Sequence, residues 1–229
     1  MVEKTMQRPD TVSFPGESPA YREARDRLLQ AEIALRRQTE AVAAQRRDLP
    51  PGGVAPQDYV FHEGADGRPV KLSELFGDKS VLLLYSFMYG PAMERPCPSC
   101  SAILDGLDGQ VPHVTRKVAL AVAAQSPIER IRAFAGPRGW RNLRLVSAAG
   151  TTYQRDYKGE DAGGSQWPIL NVFEKADGVI RHVWASELAF APRDPGQDPR
   201  HVDFIWPLWG LLDVSPQGRG DFRPQLDYA

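Results

Sequence analysis

The sequence predicts an α/β domain, a mixed central sheet flanked by helices, preceded by a long N-terminal helical extension. Three observations carry this expectation. Apolar runs of strand length alternate with helical spacing between residues 80 and 148, the pattern of parallel strands joined by right-handed crossovers. Two further β-like runs meet at Asp177 and Gly178, a hairpin that adds antiparallel strands to the sheet. Ahead of both lies one long helical stretch, so the chain divides into an arm and helix over residues 1–52 and the α/β domain over residues 53–229.

The helical stretch opens with Ser18 as a cap and Pro19 in the first turn, and Pro50, Pro51 and Gly52 stop it. Tyr21, Leu28, Leu35 and Val42 recur every seven residues with Ala24 and Ala31 between them, and the stripe turns polar at Gln38 and Gln45. A narrow apolar seam of this kind faces a partner. The expected partner is the chain's own domain or a second copy in a homodimer. The arginines along it are interspersed with Glu23, Asp26, Glu32 and Glu40, which describes a solvated face rather than a basic patch.

In the domain, "YVFHEGADGRPVKLSELFG" predicts a hairpin turning at Asp66 and Gly67, then a short helix near Leu72 to Phe76. "SVLLLYSFMY" is a strand buried on both faces, running into the cysteine segment. A helix from Pro98 to about Asp108, a strand at "KVALAVAA", a helix at "SPIERIRAFAGPRGW" with a Gly-Pro stop, and a strand at "NLRLVSA" follow. The tail "HVDFIWPLWGLLDVSPQGRG" predicts a short helix on which Trp206 and Trp209, three apart, pack into the core.

With 42% hydrophobic and 25% charged residues over 229 positions, the composition is that of a globular chain. A formal net charge of -1 gives no footprint for nucleic acid or an anionic membrane. The N-terminus lacks the apolar core of a secretory signal, and the most apolar run is shorter than a membrane span. The expected location is the cytoplasm and the expected target a protein or small molecule.

"PCPSC" holds both cysteines of the chain, Cys97 and Cys100. In a reducing compartment, two thiols at this spacing point to redox chemistry or metal binding rather than to a structural staple. Cys97 falls where a buried strand gives way to a helix, and Pro98 suits the first helical position because its missing N–H needs no partner. Cys97 is then the N-cap. Its sulfur can accept from the free N–H of Ser99 or Cys100 and feels the positive end of the helix dipole, both of which favour thiolate. Cysteines so placed drop from about 8.5 to roughly 3.5–7.5 in pKa. Cys97 is therefore the expected nucleophile. Cys100, one turn further in, is the expected resolving thiol. Arg95 would strengthen the thiolate and Glu94 would weaken it.

A C-x-x-C that follows a buried strand and opens a helix marks a thioredoxin-like site. Such folds set a cis-proline opposite the cysteine pair, at the head of a strand that leaves a backbone edge for an extended substrate. "QWPILNVF" puts Pro168 in that place along the chain, with Trp167 before it as a shield for the sulfurs or a core residue. An ordinary trans strand start is the alternative for Pro168. Trp167, Pro168, Pro98 and Ser99 make up the expected substrate-binding set.

The order "RRDLP", "YVF", "LSELFG", "LLLYSFMYGP", "CPSCS", "SPIERI", "GW" and "LLDVSPQGRG" resembles the DUF899 family of bacterial thioredoxin-like proteins, over about residues 20 to 220. "FMYGP" followed by "CPSCS" is its most specific part. The resemblance implies a thioredoxin-like fold with an N-terminal helical extension, and Cys97 and Cys100 as the pair that matters. Ser86 stands where the family pattern has His and Pro96 where it has Gly. No proton shuttle can therefore start from position 86, and the approach to Cys97 is stiffer.

The leading expectation is a thiol-disulfide oxidoreductase that needs no cofactor and acts on a protein or small-molecule thiol or disulfide. A thiol peroxidase is a variant, weakened by Glu94 standing three residues before Cys97 where Thr or Ser is wanted. Zinc would need two ligands beyond the cysteines, and His62, His113, His182 and His201 are scattered without ligand spacing. The third class is a thioredoxin-like binding module without turnover. Neither G-x-S-x-G nor H-E-x-x-H occurs.

Overall fold

The structure is a computed structural model that describes residues 12–228. The first residues of the predicted arm lie outside them. The chain forms two compact units on either side of Pro50. The first is built on helix α1, Pro19–Arg47, whose N-terminal N–H of Tyr21 is taken by the Ser18 hydroxyl at 3.1 Å. Pro19 fills the first turn and Asp48 caps the far end. The predicted stripe is on the surface of this helix, with Tyr21, Leu28 and Leu35 exposed.

The second unit holds one eight-stranded sheet. Its elements are β1 (Gly53–Val54), β2 (Val60–Glu63), β3 (Arg68–Lys71), α2 (Leu72–Leu75), β4 (Val81–Ser86), α3 (Pro98–Asp108), α4 (Val111–Val114) and β5 (Ala119–Ala124). Then come α5 (Ile128–Arg138), β6 (Leu145–Ser147), α6 (Tyr153–Asp156), β7 (Leu170–Ala176), β8 (Val179–Ala185) and α7 (Pro207–Asp213). The sheet order is β1-β8-β7-β4-β5-β6-β2-β3. Strands β4, β5 and β6 are parallel, and β7 and β8 add antiparallel on the far side of β4. This β4-α3-β5 unit with a hairpin laid beside β4 is a thioredoxin-like fold.

Because β4, β5 and β6 advance in one direction across the sheet, right-handed crossovers put α3 and α5 on the same face. Cys100, Ile103, Leu104 and Leu107 of α3 share one core cluster with Ile128, Ile131 and Ala135 of α5 and with Trp206 and Trp209. The two indoles meet edge to face at 4.9 Å, as core residues. The other face is closed by α2 and an aromatic cluster of Tyr59, Phe61, Tyr153, Tyr157 and Phe173. Strand β4 serves both cores by alternation, with Leu82 and Leu84 on one side and Tyr85 on the other.

Two expectations about boundaries are corrected. The strand at "SVLLLYSFMY" ends at Ser86, and residues 87–96 form an irregular connection before α3. Helix α5 runs past Gly136 and Pro137 to Arg138. It stops at Gly139, whose φ of 77° turns the chain left-handed. Proline near a helix's last residues removes a single N–H bond, so it does not end the helix by itself. The 177–178 turn is as expected, with positive φ at both Asp177 and Gly178.

Candidate functional site

The site is assembled at the C-terminal end of β4. The irregular connection is held back against the sheet, since the N–H of Cys97 donates to the Met88 carbonyl at 3.0 Å. Arg130, from the first turns of α5, donates to the carbonyls of Gly90 (3.4 Å), Pro91 (3.2 Å), Met93 and Glu94 (2.9 Å). Its guanidinium also lies 4.6 Å from the ring centre of Tyr89. One arginine thus satisfies four backbone acceptors of a loop that has no ladder to pair with.

Cys97 is the N-cap of α3 and Pro98 its first residue. The Cys97 carbonyl receives both the N–H and the hydroxyl of Ser101 at 3.0 Å. The helix buries Cys100, Ile103, Leu104 and Leu107, one face at helical spacing, which fixes its rotation and so the position of both sulfurs. Cys97 is half-buried and Cys100 buried, and both are free thiols.

The N–H of Cys100 donates to the Cys97 sulfur at 3.4 Å. The Cys97 pKa is pulled down to about 6, first by a hydrogen bond from the Cys100 thiol, with backbone N–H groups of Cys100 and Ser99 adding to it. Burial works against the shift and loses. For Cys100 burial comes first and pushes the thiol upward, and the neighbouring Cys97 sulfur pushes the same way. The two thiols are therefore split into a ready anion and a reluctant one. Neither Arg95 nor Glu94 is among the causes of this shift, and the Arg95 guanidinium pairs with Asp227.

Of the expected substrate-binding residues, Pro98 and Ser99 lie at the head of α3. Ser99 also lines a small cleft of 160 Å³ with His201, Val202, Trp206, Trp209 and Arg223. The indole N–H of Trp206 is buried there without a hydrogen-bond partner. Pro168 is brought to the same end of the sheet, because the next residue, Ile169, accepts from the Ser86 N–H at 2.8 Å.

The cis geometry considered for Pro168 is not met. No peptide bond among the described residues is cis, and Pro168 stands trans two residues ahead of β7. The Trp167 N–H is bonded to the Gly159 carbonyl at 3.0 Å, so the backbone edge there is partly used by the loop before it. The Trp167 ring packs on Phe190 at 5.4 Å.

A larger cavity, 770 Å³, opens beside the second core cluster and includes Tyr157, Asn171 and His182. His182 is satisfied by Asn171 at 2.9 Å, and His201 lies 3.5 Å from the Ser186 hydroxyl. Among the described residues, no group of three or more His, Cys, Asp or Glu is placed to hold a metal ion. No helix among them is long and apolar enough to cross a membrane.

Two residues of the site were not singled out from sequence. Arg130 reads there as one more charge on a helix. Tyr85 reads as part of an apolar run, although the alternation of β4 already assigns it to the face that α3 covers.

A family model described as "Bacterial protein of unknown function (DUF899)" matches residues 10–228. No curated protein matches the chain in sequence. Among solved structures, a peroxiredoxin-like protein from Aquifex aeolicus overlays with a TM-score of 0.42 at 16% identity, covering 60% of this chain and 75% of its own. Peroxidoxin BcpB from Mycobacterium tuberculosis gives 0.46 at 15% identity, covering 69% and 94%. The exposed lipoprotein thioredoxin Etrx1 of Streptococcus pneumoniae gives 0.39 at 12% identity, covering 63% and 96%. The fold stated above stands on strand order and direction, not on these overlays.

Proposed function

The chain belongs to the DUF899 family, and we propose that it is a thiol-disulfide oxidoreductase in which Cys97 is the nucleophile and Cys100 the resolving thiol. The observation that carries this reading is the placement of the two thiols: the half-buried Cys97 sulfur caps α3 and receives the Cys100 N–H at 3.4 Å, with the Cys100 thiol buried behind it, an arrangement that pulls the first down to about 6 and pushes the second up. At pH 7 a thiol with that pKa is about nine-tenths thiolate, and a pKa just below ambient pH combines a high anion fraction with good nucleophilicity.

The exchange proceeds in two displacements. The Cys97 thiolate attacks one sulfur of a substrate disulfide RSSR, forming Cys97-S-S-R and releasing RS⁻, which takes up a proton from water. Cys100 then loses its proton and attacks the Cys97 sulfur. The Cys97–Cys100 bond forms, the bond to R breaks, and the second RSH departs with the proton. Two electrons have passed from the dithiol to the substrate. An external dithiol restores the pair by the reverse exchange.

Substrate approach is supported from two sides: by the cleft at Ser99, and by Trp167 and Pro168 just ahead of β7. A reducing compartment such as the cytoplasm would keep the pair in the dithiol form that starts the cycle. A peroxidase reading gains nothing from the loop, because Arg130 is spent on backbone carbonyls and does not contribute to the Cys97 shift.

The test is incubation of the reduced full chain with a disulfide-linked peptide, followed by mass analysis. The expected result is stoichiometric reduction of the peptide with loss of two hydrogens from the segment holding Cys97 and Cys100. A chain that stays dithiol while the peptide stays oxidised, at a potential where exchange is allowed, would leave only a binding module.

A further inference from the structure

We propose that the hydroxyl of Tyr85 is a positioning group of the dithiol, which donates a hydrogen bond to the Cys100 sulfur as that sulfur ionises and so speeds resolution of a mixed disulfide on Cys97. The inference rests on the exchange reading above.

Tyr85 is the penultimate residue of β4 and lies in the core cluster that contains Cys100, with 1% of its surface exposed. Its hydroxyl is buried and makes no hydrogen bond of good geometry in the dithiol form, and the polar side chain it faces is the Cys100 thiol. Leaving a buried hydroxyl unpaired costs stability, so an orphan of this kind beside a reactive pair calls for a cause. The titratable groups that Tyr85 faces are Cys100 first and Cys97 second. Those facing Cys100 are Cys97 and Tyr85, with no lysine, arginine or carboxylate among them.

Resolution requires a thiolate on Cys100, and that is the state its surroundings otherwise oppose. Burial and the adjacent Cys97 sulfur hold the Cys100 proton on, whereas Tyr85 acts in the opposite sense. The Cys100 sulfur, a weak acceptor as a thiol, therefore becomes a strong one for the Tyr85 hydroxyl when it ionises. Burial and the two sulfurs keep Tyr85 itself protonated, so it remains a donor and takes no proton from Cys100. The net step is Cys97-S-S-R plus Cys100-SH giving the Cys97–Cys100 disulfide plus RSH, and Tyr85 is unchanged by it.

The test uses the full chain and the chromogenic disulfide dithiobis(nitrobenzoate). The first thiolate released reports attack by Cys97, and the second reports displacement by Cys100. Tyr85→Phe removes one oxygen that has no partner to lose, so it keeps the fold. Tyr153→Phe is the control, because that hydroxyl is also buried without a partner but lies in the second cluster, which has no cysteine.

In Tyr85→Phe the first phase is expected to stay within about twofold of wild type. The second slows roughly tenfold, the scale of one hydrogen bond to a charged atom, with its pH midpoint moved up. Tyr153→Phe changes neither phase. A second phase in Tyr85→Phe with the wild-type rate and midpoint overturns the inference and leaves the exchange reading standing. So does equal slowing of both phases in the two variants. Absence of a second phase in wild type overturns both.

Discussion

The backbone N–H of Cys100 points at the sulfur of Cys97 across 3.4 Å, and the thiol of the same residue is the largest cause of the lowered Cys97 pKa. The residue proposed to resolve the mixed disulfide is thus also the one that lowers the Cys97 pKa most. Its backbone contribution belongs to the first turn of α3 and survives substitution, whereas its thiol contribution does not.

Cys100→Ala is therefore expected to move the pH midpoint of Cys97 alkylation upward, toward the ordinary thiol range, with reactivity at pH 6 reduced roughly tenfold. Alkylation with iodoacetamide over a pH series measures it. An unchanged midpoint would mean that the helix start alone sets the anion.

Arg130→Ala should loosen the approach to Cys97. The carbonyls of Pro91, Met93 and Glu94 lose this donor at once, while that of Gly90 keeps the Met93 N–H and the Ser126 hydroxyl. The expected loss is about 1–3 kcal/mol, seen as a lower Tm and faster amide exchange over the 87–96 connection. Lysine at 130 should rescue little, because a single ammonium cannot fan its donors over four acceptors. Full rescue by lysine would show that charge, not geometry, holds the loop.

Glu63 gives a pH-dependent prediction. It is 7% exposed and bonds Arg144 at 2.8 Å and Arg68 at 2.8 Å, tying β2 to β3 and to the start of β6. The hydrogen bond from Arg144 lowers its pKa, and burial, which opposes this, does not cancel it. A carboxyl with a depressed folded-state pKa contributes stability that is complete above its unfolded value and lost as pH falls through the folded one. Denaturant melts should show wild type losing stability below about pH 4. Glu63→Gln should be about 1–2 kcal/mol less stable at pH 7 with a flatter acid limb. Parallel acid limbs would rule out Glu63 as a source.

Trp167→Ala removes the ring that packs at a tilt against Phe190 beside Pro168. The expected effect is a higher KM for a disulfide peptide with the Cys97 titration unmoved. A shifted titration instead would mean that Trp167 acts on the sulfur and not on substrate.

Much of this was legible in the sequence because the signals are local. The span of α3 from Pro98 to Asp108 follows from an N-cap, a proline at the first position and apolar residues at helical spacing. The 177–178 hairpin follows from Asp-Gly chemistry. What was not legible depends on which surface a side chain meets. Arg130 reaches back some forty positions to the connection, and Tyr85 finds Cys100 only because α3 is laid across β4. Adjacency sets Arg95 and Glu94 against each other at Cys97 without saying where either side chain points, and the Arg95 guanidinium pairs with Asp227, 132 positions away. The Trp167 N–H likewise finds the Gly159 carbonyl only through the course of the 159–166 loop, which the residues around Pro168 do not encode.

The most direct test of the central claim is the pH dependence of thiolate absorbance in the reduced chain, with Cys97→Ser as the reference. A single thiolate belonging to Cys97 should appear with a midpoint of about 6, leaving Cys100 protonated well into the alkaline range. Two thiols titrating together at about 8.5, with no signal lost in Cys97→Ser below pH 7, would contradict the account.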